Sequence, residues 1–411
     1  MNLPTTSISK RPAYYFHKFL QTESAGGVVL VVFSIASLIW VNSPAKTSFY
    51  SFWDTRFELS LGSFSFGMDF HHWVNEGFMT FFFFVIGLEI KREVTSGHLS
   101  TRKSITLPLF GALGGMVVPA LTYLLIAGSV EPRGWGIPMA TDIALAIGVL
   151  SLLGSRVSPA IRAFLLGLAV VDDIGAILVI AVFYSTNVSA KWLLVALVVL
   201  VFTAVLKGLD VRMTWVYVLC GIVVWYSLYK TGVHPTLTGV IFGLLTPTFP
   251  HKRIADLETE DSVSAIEWLE HLIHPWTSFA IVPLFALANA GIEISFKSLS
   301  DASTSAIAWG IFAGLVIGKP VGIILSVVMS KRLKLADFPQ GASMKTFLGV
   351  GNTAGIGFTV ALFISELAFT DAAHQADAKI SILLGSIVSA ALSVAVLMTK
   401  SKVEDQLALG S

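Results

Sequence analysis

Four ionisable side chains fall inside stretches that are otherwise almost wholly apolar. They are Asp142 in PMATDIALAIG, the adjacent Asp172 and Asp173 in LAVVDDIGAI, and Lys319 in GLVIGKPVGI. A charge at the centre of a bilayer costs at least about 2.5–3.5 kcal/mol, so three acids and one lysine oppose insertion by roughly 10 kcal/mol. A purely structural role would have to recover that cost by ion pairing alone. Neighbouring helical positions point about 100° apart, so Asp172 and Asp173 do not share a face and cannot easily aim at one lysine. At least one of them is expected to face a cavity. Low-dielectric surroundings favour the protonated form of a carboxylate, more so beside a second one. A hard cation can displace that proton, because such ions prefer carboxylate, hydroxyl and carbonyl oxygens. A site that holds either protons or one such cation couples their movements if it alternates between the two sides. Lys319 would neutralise a carboxylate when the cation is absent.

The elements that must position these groups follow from composition. The chain has 411 residues, of which 55% are hydrophobic and only 13% charged, against roughly 25% charged in soluble domains. Lipid is therefore the expected solvent. The formal net charge of +1 argues against nucleic acid as a partner. The single cysteine, Cys220, excludes an internal disulfide framework. A bilayer crossing needs about 20 mainly apolar residues. Twelve candidate spans result: 24–42, 73–90, 105–128, 137–154, 160–184, 192–206, 213–229, 235–249, 276–292, 306–329, 346–368 and 380–399. The first reads as a retained helix rather than a signal peptide. With the N-terminus in the cytoplasm, most of the 27 Lys and Arg residues lie on the cytoplasmic side of this threading. Both termini are then cytoplasmic.

Residues 43–72 are too polar to span. Alternation of Phe57, Leu59 and Leu61, then Phe64, Phe66 and Met68, predicts an outer β-hairpin with one apolar face, resting on the membrane domain or on a second copy. In 251–275, Ile266, Leu269 and Ile273 stand at helical spacing, which predicts a short cytoplasmic helix before the next span. Pro138 near Asp142 suits a first-turn position or a local break. In the later half, GNTAGIGF at 351–358 places Gly355 and Gly357 where unwinding or close backbone approach is expected. Interrupted spans in both halves point to a transporter with inverted repeats and a midplane site.

These motifs together resemble the NhaA family of bacterial sodium–proton antiporters. The resemblance runs from 12 to about 399 through NEGFMTFFFFVIGLEIKRE at 75–93, MATDIALAIGVLSLLGSR at 139–156, LAVVDDIGAI at 168–177, TGVHPTLTGV at 231–240, LEHLIHPW at 269–276, PLFALANAG at 283–291, GLVIGKPVG at 314–322 and GIGFTVALFI at 355–364. It implies an all-α polytopic membrane protein of twelve transmembrane helices, with inverted repeats, discontinuous helices 4 and 11, and the outer β-hairpin. The corresponding divisions are 1–23, a cytoplasmic N-terminus; 24–104, helices 1–2 with the hairpin; 105–184, helices 3–5 as the first core repeat; 185–303, helices 6–9; 304–399, helices 10–12 as the second core repeat; and 400–411, a cytoplasmic C-terminus. It further implies electrogenic, pH-regulated export of Na+ or Li+ against inward H+, an inner-membrane location, a homodimer, and no cofactor.

The same resemblance assigns residues. Asp173 and Asp172 match the cation and proton site, Lys319 its ion-pair partner, and Thr141 with Asp142 the break of the fourth span. Glu89, Glu93, His234, Glu270, His271 and His274 match a cytoplasmic funnel tied to pH response, and Glu76 an entrance position. His71 and His72 read as surface residues without a role. Two rival functions remain open, a sodium-coupled symporter of an organic solute and a passive proton or cation channel. No nucleophile–base grouping, phosphate loop or metal motif suggests an enzyme. Glu267 and Trp268 stand where better-known members of the family carry basic residues, which makes the funnel more acidic. Its protons should be held more tightly, shifting activation to higher pH. Transport measured between about pH 6.5 and about pH 9 should move to lower pH in Trp268→Arg; an unchanged profile would remove this explanation.

Overall fold

The computed structural model describes residues 25–62, 64–97, 101–185, 188–211, 213–247, 264–339 and 342–399. The two expected cytoplasmic termini, 1–23 and 400–411, and residues 251–263 lie outside these. The helices are α1 (Ala25–Val41), α2 (Lys46–Trp53), α3 (Phe70–Thr95), α4 (Arg102–Ala127), α5 (Ile143–Leu153), α6 (Pro159–Phe183), α7 (Ala190–Gly208), α8 (Thr214–Thr231) and α9 (Leu237–Leu245). They continue with α10 (Ala265–Asn289), α11 (Phe296–Thr304), α12 (Ala306–Arg332), α13 (Met344–Ala354), α14 (Phe358–Ala368) and α15 (Ala372–Met398). A 3-10 segment, Pro132–Met139, precedes α5.

Local sequence sets many of the starts. Ser158 accepts from Ile161 N at the head of α6, where Pro159 occupies the first turn and forfeits no helical hydrogen bond. Ser264 and Glu267 form a reciprocal cap on α10, and Asp371 accepts from the amides of Ala373 and His374 on α15.

Each predicted span contains helix among its described residues, but the lengths differ from a uniform set of twelve. Among the described residues eight helices are long and apolar enough to cross a membrane, and ten if each bent pair counts as one crossing. Helix α9 has 9 residues, a rise of about 14 Å, so it penetrates without spanning by itself. The short helix expected before span 9 is instead the first part of continuous α10.

The hairpin is smaller than 43–72, because Lys46–Trp53 is helical. Strand β1 (Arg56–Leu61) pairs antiparallel with β2 (Phe64–Asp69), with Phe57 opposite Met68 and Leu59 opposite Phe66. Gly62 at the turn has φ 61°, the left-handed geometry that a tight hairpin needs. Phe66 sits against Trp73, Trp225, Tyr226 and Tyr229, so the apolar face rests on this chain's own α3 and α8. At the same end, Lys46 Nζ (2.5 Å) and the Tyr50 hydroxyl (2.9 Å) donate to Glu293 and hold its carboxyl below the usual range.

Two helix contacts are set by glycine. In α3 and α9, Gly87, Gly239 and Gly243 bring the backbones together; a Cβ on Gly239 would collide with Thr80 O. In α4 and α12, a Cβ on Gly322 would collide with Gly114 O. Lipid offers no hydrophobic drive for helix association, so this close packing carries much of it. The α4–α12 contact matters most to the site, since Lys319 opens the turn that ends at Gly322. Gly322→Ala should destabilise the fold by about 1–3 kcal/mol through overpacking. Gly148, where an added Cβ would meet nothing within 4 Å, serves as control. Thermal unfolding in detergent should show a lowered midpoint for Gly322→Ala and an unchanged or raised one for Gly148→Ala.

Candidate ion-binding site

Two helical rods are broken at the same depth and cross at their breaks. The 3-10 segment ends at Met139, Ala140–Asp142 is extended, and α5 begins at Ile143. Helices α13 and α14 meet at Gly355–Gly357 with a 50° bend. Both glycines keep right-handed backbone geometry, so the reason for them is proximity. A Cβ on Gly355 would lie 2.6 Å from Leu315 O, and one on Gly357 3.1 Å from Ala140 O.

Each break exposes unpaired amides at the following helix start and unpaired carbonyls at the preceding end. Asp142 serves both starts. Its Oδ1 accepts from Leu145 N at 3.0 Å, capping α5. Its Oδ2 accepts from Thr359 N at 3.0 Å and Thr359 Oγ1 at 2.6 Å, capping α14, whose own N-cap residue, Gly357, has no side chain to offer. The Asp142 amide donates to Ile356 O at 2.6 Å. One anion thus faces the positive ends of two helices. The opposite ends receive donors. Lys319 Nζ donates to Met139 O, and Thr141 Oγ1 lies 3.0 Å from Ala354 O.

Lys319 and Asp172 form an ion pair of 2.6 Å, both side chains fully enclosed. The π turn Gly314–Gly318 directly precedes Lys319. Such a turn carries an extra residue, and Pro320 after it lacks an N–H, so the helix presents the lysine inward at a locally loosened ladder. Thr141 Oγ1 is 2.5 Å from Asp172 Oδ2, the same oxygen that Lys319 uses. Asp172 Oδ1 is buried without a hydrogen-bond donor among the described residues. Asp173, 6% exposed, receives no hydrogen bond among the described residues and lies within electrostatic reach of Glu89, Asp172, Lys319 and Asp142. The two adjacent acids therefore have different occupations: one is tied to a lysine, and the other presents open oxygens. Among the described residues no three His, Cys, Asp or Glu side chains converge as a metal cage. The oxygens gathered here belong to two carboxylates, a hydroxyl and freed backbone carbonyls.

Toward the C-terminal end of α3, Glu89 is half-buried. Arg92 binds Glu270 at 2.5 Å and approaches Glu93 at 3.6 Å, so α3 and α10 are pinned together by one arginine between two acids. His271 and His274 are exposed one turn apart on α10. His234 is separated from this group. It stands 3.7 Å from Glu76 near the start of α3, about 20 Å along the helix from Glu89. It belongs with the entrance acid at the hairpin end, because α9 enters the fold beside that end of α3.

Toward that end, Phe363 of α14 packs 5.3 Å from Phe83 and 6.2 Å from Phe285, an aromatic layer shared by α3, α10 and α14. Beyond it His71 is partly buried rather than a surface residue, with Nε2 3.0 Å from Asn289 Oδ1. Sequence reasoning missed Thr359, His71, Asn75, Asn289 and the Glu366–Lys379 pair at 2.7 Å. Thr359 was discoverable: it follows a break whose N-cap is glycine. Met139 contributes a main-chain oxygen, for which no residue type gives a signal.

The family model described as Na+/H+ antiporter 1 matches residues 17–397. The Na(+)/H(+) antiporter NhaA 2 of Myxococcus xanthus is 42% identical over 425 residues, covering 95% of this chain and 90% of that one. The Na(+)/H(+) antiporter NhaA of an Escherichia coli O139:H28 strain is 43% identical over 383 residues, covering 92% and 96%. Among solved structures, the sodium proton antiporter MjNhaP1 of Methanocaldococcus jannaschii at pH 8 superposes with a TM-score of 0.50 at 12% identity, covering 94% and 98%, a likeness of fold. With a family model matched over nearly its whole length and relatives above 40% identity, this chain belongs to the NhaA family of Na+/H+ antiporters.

Proposed function

We propose that the chain exchanges cytoplasmic Na+ or Li+ for external H+ across a bacterial inner membrane, by alternating access at the crossed helix breaks. The observation that carries this reading is the unequal pair on α6: Asp172 engaged by Lys319, and Asp173 beside it with no hydrogen-bond donor among the described residues. Asp173 is the exchanging group. A proton satisfies it in the absence of the cation, and Na+ or Li+ replaces that proton with carboxylate, hydroxyl and carbonyl oxygens around it. Arrival of the cation also weakens the Lys319–Asp172 attraction, so the lysine can release a proton. More protons than cations then move per cycle, and the exchange is electrogenic.

The architecture supporting this reading is twelve crossings, in which the short α9 and the paired α13–α14 each count as one. Helices 3–5 and 10–12 act as inverted repeats that carry the site, and the rest forms an interface domain. The hairpin end faces outward, with both termini cytoplasmic, as the distribution of Lys and Arg suggests. The free edges of β1 and β2 suit pairing with a second copy, giving a homodimer. Glu89, Glu93, Glu270, His271 and His274 form the cytoplasmic funnel, where acids concentrate cations and histidines respond to pH.

The deciding experiment uses purified protein in vesicles, with proton flux followed as Na+, Li+ or K+ is added across a pH series. Sodium and lithium should each move protons in the opposite direction with no organic solute present. Absence of that flux would end the antiport reading; a flux that continued without exchange would favour a channel. Asp173→Asn should lose nearly all exchange while folding normally, and cation uptake equal to wild type would refute its role. Lys319→Ala leaves a buried carboxylate unpaired and should cost about 3–5 kcal/mol of stability, electrogenic turnover, or both. Thermal unfolding and current measurements on the same sample test this.

A further inference from the structure

The hairpin end holds a polar network whose hydrogen bonds favour one protonation state. Asn289 of α10 is fully buried, and its amide orientation is fixed, because Nδ2 donates to Phe285 O at 2.9 Å and to Asn75 Oδ1 at 2.8 Å. Its Oδ1 is therefore an acceptor, and His71 Nε2, 3.0 Å away, must carry the hydrogen. Asn75 Oδ1 is already engaged by Asn289, so it is Asn75 Nδ2 that faces His71 Nδ1 at 3.4 Å. That ring nitrogen must be a bare acceptor. A neutral imidazole completes the network; an imidazolium sets a donor against a donor. Flipping Asn75 moves the conflict to Asn289, and flipping Asn289 sacrifices the bond to Phe285 O. No rearrangement of the two amides accommodates the second proton.

The charged groups acting on His71 are Glu366 from α14 and Lys379 from α15 across the seam, with Asp69 and His72 from its own segment; α10 presents Asn289. Glu366 and Lys379 are paired at 2.7 Å, each side chain 14% exposed. Glu366 is the anion across the seam, on the helix that also carries the break residue Gly357 at its N-cap.

We propose that His71 is a proton-operated latch: neutral, it is held by Asn75 and Asn289 within the α3–α10 half; protonated, it is expelled from that network and pairs with Glu366, bridging α3 to α14. Acid on this side then ties together the two halves that must separate for the hairpin-end mouth to open. The inference rests on the antiport reading in taking this end as the external one and in having its mouth open and close. Asn75 and Asn289 set the direction of the switch, and Lys379 competes with the imidazolium for the same carboxylate.

The test is the distance between spin labels at Thr55 and Ala373, both exposed and on opposite sides of the seam, in full-length protein carrying Cys220→Ser in vesicles. Lowering the pH on the hairpin side from about 8 to about 5.5 should reduce the wider-spaced population about threefold. His71→Gln supplies one donor and one acceptor in the neutral arrangement, and should abolish that pH response while leaving neutral-pH exchange intact. Glu366→Gln should abolish it as well. A wild-type distribution that does not change with pH, or a His71→Gln protein that follows wild type, overturns the latch. Failure of antiport itself would show instead as missing Na+-driven proton flux in wild-type vesicles, which this distance measurement does not require.

Discussion

Everything in the core depends on one electrostatic constraint: two broken helices point their like ends at each other in a low-dielectric interior. Left alone, the facing starts of α5 and α14 would repel, and their free amides would have no partner. Asp142 resolves both problems with one carboxylate, one oxygen to each helix. Lys319 and Thr141 do the converse for the carbonyl ends. Once the crossing is neutralised in this way, it can hold a second set of charges, and the Asp172–Lys319 pair shares donors with it through Thr141. The site is therefore not inserted into a finished scaffold. The same residues stabilise the crossing and furnish its chemistry.

This sharing explains why glycine and the π turn cluster where they do. The α4–α12 contact at Gly114 and Gly322 sets how deep Lys319 sits, and the turn at Gly314–Gly318 sets which way it points. Gly355 lets Leu315 O approach the second break within a distance no Cβ would tolerate, and at Gly357 an added Cβ would crowd Ala140 O. Each small residue near the site thus fixes a separation between rigid pieces, and the charges occupy what those separations leave.

Much of this was legible in the sequence. Asp142, Asp172, Asp173 and Lys319 stood out because charge is rare in long apolar runs, and their convergence follows. The alternation in Phe57–Met68 read out the hairpin and the face on which Phe66 meets α3 and α8. What was hidden depended on neighbours distant in sequence. Residues 46–53 looked like part of the hairpin because their polarity excluded a span, yet they form a helix tied to Glu293. His234 was grouped with the funnel on the resemblance alone, although the threading already put the loop between spans 7 and 8 on the opposite side, in line with its place beside Glu76. His71 looked exposed beside His72, and only the packing of α10 encloses it. The number of crossings was ambiguous for a similar reason: α9 is too short to span by itself, and hydropathy alone cannot say whether a flanking segment completes it.

The layer of Phe83, Phe285 and Phe363 between the carboxylates and the hairpin end has a consequence for energy conservation. Protons travel fastest along continuous files of water, and Phe363 packed on Phe83 and Phe285 sets apolar surface across such a path. A cell that stores work as a difference in proton activity would lose it through any uninterrupted wet thread of this kind. In the proposed exchange, a dry level here would oblige each proton to be carried by a side chain that moves with the protein. The membrane can then stay charged while the machine idles.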